Sequence, residues 1–226
     1  LHYRDTTEPS VLCHEILSAR PYTFLDDAPL EERRTRAVAL RRGLPQSVRE
    51  LAALDPDAIV RVRREVALSP RDALELHDVL MSCLVLGADA ALLPQLEPLL
   101  QAGRAFVFSA GALPLWAARE HVPEIALLYP ELLGWPQLPA ALAGATPRTQ
   151  EDALDALVRG HLELLGPTTA PVLAARTGLA VAPLSAALTR VEVAGFALRG
   201  HFDPQLAGEQ YCARRLLGRI HAYTQK

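Results

Sequence analysis

Between residues 150 and 202 the chain changes period once, and that change limits what it can fold into. EDALDALVRGHLELLG, TAPVLAARTG and LAVAPLSAALTRVEVAG carry apolar residues at helical spacing, and each run is closed by a glycine. FALRGHF then alternates, with Phe196, Leu198 and Phe202 to one side and Ala197, Arg199 and His201 to the other. A period of 3.6 and a period of 2 present different faces to a core, so the sequence predicts three short helices followed by a two-stranded hairpin. Thr168 is expected to cap the second helix, and Leu184, Leu188 and Val191 to face inward from the third. Three helices and such a hairpin make the winged-helix form of the helix-turn-helix.

A similar plan is legible upstream. In SPRDALELHDVLMSCLVLG, Ser69 reads as a cap, Pro70 as the first helical position and Asp72 as the third, with Ala73, Leu76, Leu80 and Leu84 on one stripe and Gly87 at the end. Residues 89–102 read as helical; RAFVF and LPLWAAR read as strands around the turn SAGA, with Trp116 in the core. A short helix is expected at 123–128. Further helices are expected at 31–42 and at 56–66, the latter capped by Asp55, with Ile59, Val62 and Val66 inward and Arg61, Arg63 and Arg64 outside. The predicted fold is mainly α with small β-hairpins, arranged as tandem winged-helix modules. An arm and helices fill 1–68, a first winged-helix-like unit 69–130, a proline-rich linker 131–148, and a second winged helix with the start of another helix 149–226.

The chain has 226 residues, half of them hydrophobic, enough for a real core. No run approaches the roughly 18 apolar residues of a membrane span. Cys13, Cys83 and Cys212 are scattered, without a Cys-x-x-Cys pair, and Cys13-His14 has no second ligand pair, so neither a zinc site nor a disulfide framework is expected. This is the usage of a cytoplasmic protein. Charge is uneven: residues 1–155 hold 15 Arg against 22 Asp and Glu, whereas residues 156–226 hold 8 Arg and Lys against 4. A basic C-terminal third is the pattern of a face that meets phosphates. The start at Leu1 and the basic run ending at Lys226 read as a segment of a longer polypeptide.

GPTTAPVLAARTGL, AALTRVEVAGFALRGHF and EQYCARRLLGRIHAYT closely resemble the region beyond the motor core of the bacterial Lhr, or large helicase-related, proteins; HEILSARPYTFLDDAPLEERRTRAVALRR, LDPDAIVRVRREV and LELHDVL do so upstream. Gly218 is a departure, standing where relatives usually have a better helix former. The resemblance implies an ATP-dependent superfamily 2 helicase that translocates 3′ to 5′ on single-stranded DNA and is linked to DNA repair. It implies ATP and Mg for the parent motor. No cofactor is expected in this segment, which has no G-x-x-x-x-G-K-[ST] loop and whose single lysine is Lys226.

The third helix offers Ser185, Thr189, Arg190 and Glu192 outward, poor material for reading base edges. Better candidates for phosphate are Arg199 and His201 on the hairpin and Arg214, Arg215 and Arg219 on the last helix, with Arg190 beside them; Arg215 and Arg219 lie four apart on one helix face. Leu216, Leu217, Ile220 and Tyr223 would hold that helix to the core. The partner expected is DNA, single-stranded or forked, or an RNA:DNA hybrid, together with other domains of the parent and a possible second copy, but no membrane. Two other readings stay open. One is a structural module between domains. The other is part of a glycosylase-like C-terminal region, for which Gln150-Glu151-Asp152 is the only comparable stretch. No catalytic residue is expected here. His77 reads as a hydrogen-bonded packing histidine, and Asp26-Asp27 and Glu31-Glu32 as loop and helix-start acids.

Overall fold

A computed structural model describes residues 54–132, 139 and 149–225. The expected arm, the helix at 31–42, Cys13-His14, the acid pairs at 26–27 and 31–32 and most of the 131–148 stretch lie outside the described residues. Among the described residues are eight α-helices and two small antiparallel sheets: α1 (Pro56–Val66), α2 (Ala73–Cys83), β1 (Leu86–Gly87), α3 (Leu93–Gln101), β2 (Ala105–Ala110), β3 (Leu113–Ala118), α4 (Val122–Leu128), α5 (Gln150–Leu165), α6 (Ala170–Thr177), α7 (Val181–Val193), β4 (Ala197–Gly200), β5 (Gln210–Ala213) and α8 (Arg214–Thr224). None of these helices is long and apolar enough to cross a membrane.

The first sheet has the order β1-β3-β2, with Phe106 opposite Ala117 and Phe108 opposite Leu115. Its period of two serves two cores. Phe106, Phe108, Leu115 and Ala117 face the main core, and Ala105, Trp116 and Ala118 face a smaller one with α2 and α3. The second sheet repeats the order on a smaller scale. Leu198 pairs with Cys212 and Arg199 with Tyr211, while Thr168, between α5 and α6, bridges to the far edge of β5 at Tyr211. In both halves a short extended piece ahead of the last helices pairs with the second strand of the hairpin.

Local chemistry moves several expected boundaries. Asp72, not Ser69, caps α2 by accepting from the Glu75 N–H. That helix ends at Cys83 rather than at Gly87, because Leu84 takes φ 64° and ψ −50° and the Val85 N–H bonds back to the Cys83 carbonyl at 2.8 Å, a γ-turn. The turn releases Leu86 and Gly87 to pair with Trp116 and Leu115. Thr169, not Thr168, caps α6, since the Thr168 backbone exchanges hydrogen bonds with Tyr211. On the first strand of the second hairpin Ala197 is the fully buried position, while Phe196, Leu198 and Phe202 are half-buried.

The described residues from Leu54 onward make one compact unit. Ile59 and Val62 of α1, Phe108 and Leu115 of the first sheet, and Leu157, Leu184, Leu216 and Ile220 from beyond residue 148 share one core. Gly160 of α5 lies against the α2 backbone so closely that a Cβ would meet the Ser82 carbonyl oxygen at 2.1 Å.

Candidate nucleic-acid interface

α8 starts directly from β5 and has the sequence RRLLGRIHAYT, in which no residue is acidic. Leu216 and Ile220 are completely buried, and Leu217 and Tyr223 pack on the same core from its edge. The apolar stripe therefore fixes which way Arg214, Arg215 and Arg219 face. Arg214 and His201 are exposed and have no side-chain partner among the described residues. Arg215 donates to the Glu163 carboxylate of α5, and Arg219 to that of Glu65 on α1.

Glu65 is the meeting point of two helices. It accepts from Arg61 one turn earlier at 3.2 Å and from the Tyr223 hydroxyl at 3.1 Å, besides Arg219. Arg61 also lies over the Tyr223 ring, 4.0 Å from its centroid. Desolvation favours the protonated carboxyl of Glu65, but the hydrogen bonds from Arg61 and Tyr223 and the charges of Arg219 and Arg61 outweigh it and hold the pKa below the usual range. The Asp55 N–H donates to the Thr224 hydroxyl at 3.0 Å, so the last residue of α8 closes the start of α1.

Arg190 and Arg199 are held elsewhere. Arg190 turns back from α7 onto Asp155 of α5, Nη2 to Oδ1 at 2.7 Å, so its guanidinium is already paired to a carboxylate. Arg199 lies between Glu192 at 3.3 Å and Glu209 at 3.1 Å. The ion pairs thus hold the expected arginines at different places: Arg215 against α5, Arg219 against α1, Arg190 between α7 and α5, and Arg199 at the hairpin. The exposed positions of α7 are Val181, Ala182, Ala186, Thr189 and Val193, none of them charged.

Arg63 also departs from expectation. Its guanidinium is turned inward, where Nη1 meets the buried Asp203 carboxylate at 2.6 Å and Nη2 the Pro167 carbonyl at 2.8 Å. Asp203 belongs to the hairpin loop, which the buried Gln210 amide fastens by accepting from Phe202 and Asp203 N–H and donating to the Asp203 and Leu206 carbonyls. Sequence spacing could find the Arg61–Glu65 pair, four residues apart. It could not find Glu65 for Arg219 or Asp203 for Arg63, which lie 154 and 140 residues away.

The remaining candidates resolve into scaffold. Asp152 completes a capping box with Thr149, accepting from its N–H at 3.1 Å and its hydroxyl at 2.8 Å. His77 is buried between Glu120, 3.2 Å from Nε2, and Arg104, 3.1 Å from Nδ1. Among the described residues no group of three or more His, Cys, Asp or Glu side chains is placed to hold a metal ion.

No family model matches the chain. It is 32% identical, across 94% of its own length, to a protein of Mycolicibacterium smegmatis named "Lhr helicase/ probable uracil glycosylase". The chain spans about 15% of the length of that relative.

Proposed function

We propose that the chain, 32% identical over nearly its whole length to one stretch of an Lhr helicase, is a segment of such a helicase and serves as an accessory nucleic-acid-binding element of that parent. In this reading the segment lies beyond the motor core, folds as two winged helices that share a core, and contacts the DNA backbone during repair without reading sequence. The observation that carries the proposal is the order α5, α6, α7, β4, β5, with Thr168 bridged to β5 and the acid-free helix α8 issuing from the hairpin.

Physical chemistry favours backbone contact over base readout. A reading helix needs Arg, Asn or Gln aimed at base edges, whereas α7 exposes alanines, valines and Thr189 and ties its one arginine to Asp155. Arg214 and His201 are available as they stand. Arg215 keeps 65% of its side-chain surface exposed and Arg219 37%. Exposed pairs of this kind contribute little to stability, so a phosphate can take over either arginine. Chemistry on ATP is assigned to the parent motor, and this segment is expected to have neither ATPase nor base-excision activity of its own.

The test is fluorescence anisotropy with labelled single-stranded and forked DNA across about 50–200 mM salt. Wild-type binding should weaken steeply with salt. Arg214→Ala should weaken it similarly for unrelated sequences and lower the salt slope by about one unit. Salt-independent binding, or none, overturns the proposal; abasic sites formed in uracil-containing DNA without ATP would favour the glycosylase reading.

A further inference from the structure

We infer that α1 is the second half of the phosphate-binding surface, and that Glu65 occupies, in the free protein, the place a DNA phosphate takes when bound. The inference rests on the proposed function and extends it to a helix that the sequence assigns to a separate N-terminal region. α1 and α8 pack directly together, and between them they carry Arg61, Arg63, Arg64, Arg214, Arg215 and Arg219 against only Asp57 and Glu65. That surplus stands out because the whole chain is net negative, at −3.

Glu65 stands between the two helices and draws Arg61, Arg219 and the Tyr223 hydroxyl to a single point. Three donors converging on one carboxylate is the arrangement that a phosphate oxygen would also satisfy, and arginine forks suit phosphate as well as carboxylate. The site is open: the Arg219 and Glu65 side chains keep 37% and 30% of their surface exposed. Arg64 extends it, being exposed, three residues from Arg61 on the same helix face, and without a carboxylate partner among the described residues. Tyr223, already under the Arg61 guanidinium, supplies a ring edge at the same place. Arg63 is excluded, because Asp203 holds it on the inner side of α1.

Two variants of the full 226-residue chain test this with a labelled single-stranded oligonucleotide. Glu65→Gln keeps an acceptor for the Tyr223 hydroxyl while removing the competing charge. It should tighten binding about two- to fivefold, the release of an exposed ion pair expressed as an equilibrium constant. Arg64→Ala breaks no ion pair between described residues and should lower the salt slope by about one unit. A wild-type chain that does not bind DNA overturns this inference together with the proposed function. A wild-type chain that binds with a normal salt slope, while E65Q and R64A leave affinity and slope unchanged, overturns this inference alone.

Discussion

Two histidines show how much a single residue's surroundings decide. His77 has a partner at each ring nitrogen. His161, at 1% exposure, makes no well-formed hydrogen bond at either nitrogen among the described residues and has only a weak contact with the Val85 backbone. Burial, with a smaller contribution from the Arg176 charge, pushes its pKa down to about 4 from an ordinary 6.5. Above pH 6.5 the ring is neutral whether the chain is folded or not, and it adds no pH dependence. Below 6.5 the unfolded chain takes up a proton that the folded one refuses, so stability falls until about pH 4, where the folded ring also protonates. The expected loss across that window is about 3 kcal/mol. Urea unfolding at a series of pH values should show it, and His161→Leu should flatten that part of the profile. An unchanged profile in the variant would place the acid sensitivity in other groups.

At the scale of elements, the same substitution should have opposite signs in two helices. Glycine inside a helix costs roughly 1 kcal/mol against alanine, so propensity alone recommends Ala at both Gly160 and Gly218. Gly160 is where α5 crosses α2, and a Cβ there would lie 2.1 Å from the Ser82 oxygen and 2.6 Å from the Cys83 Cα, both backbone. Backbone cannot step aside as a side-chain tip can. Gly160→Ala should therefore destabilise by about 1–3 kcal/mol. Gly218 has nothing within 4 Å of its would-be Cβ, and Gly218→Ala should stabilise by about 0.5–1 kcal/mol. Denaturation midpoints that move the same way in both variants would refute the crossing as the reason for Gly160.

At the scale of the molecule, α1 is bound to the elements beyond residue 148 by three different kinds of contact. Ile59 and Val62 enter the common core, Arg63 grips the hairpin loop at Asp203, and Glu65 gathers Arg219 and Tyr223. The segment 149–226 produced alone would lose all three and would expose the core side of α8, with Leu216 and Ile220. It should lack a cooperative urea transition, whereas the whole chain should unfold the elements on both sides of 131–148 together. A sharp transition in the isolated segment, matching that of the whole chain, would show that the second half folds by itself.

Period, capping chemistry and glycine stops are local, which is why α5, α6, α7 and the alternation at 197–200 were readable from the order of residues alone. The basic character of α8 and its buried stripe of Leu216 and Ile220 were readable for the same reason. Direction and partnership were not. Arg61, Arg63 and Arg64 are near neighbours in the sequence, yet one stacks on Tyr223, one is drawn to a buried Asp203 and one is exposed. The strand at Leu86–Gly87 exists because a γ-turn at Leu84 frees the chain to meet Trp116, a partner 30 residues away. Ion pairs, strand pairs and a shared core form between residues brought together by the packing of helices, and that packing alone determined which arginines are paired and which are exposed.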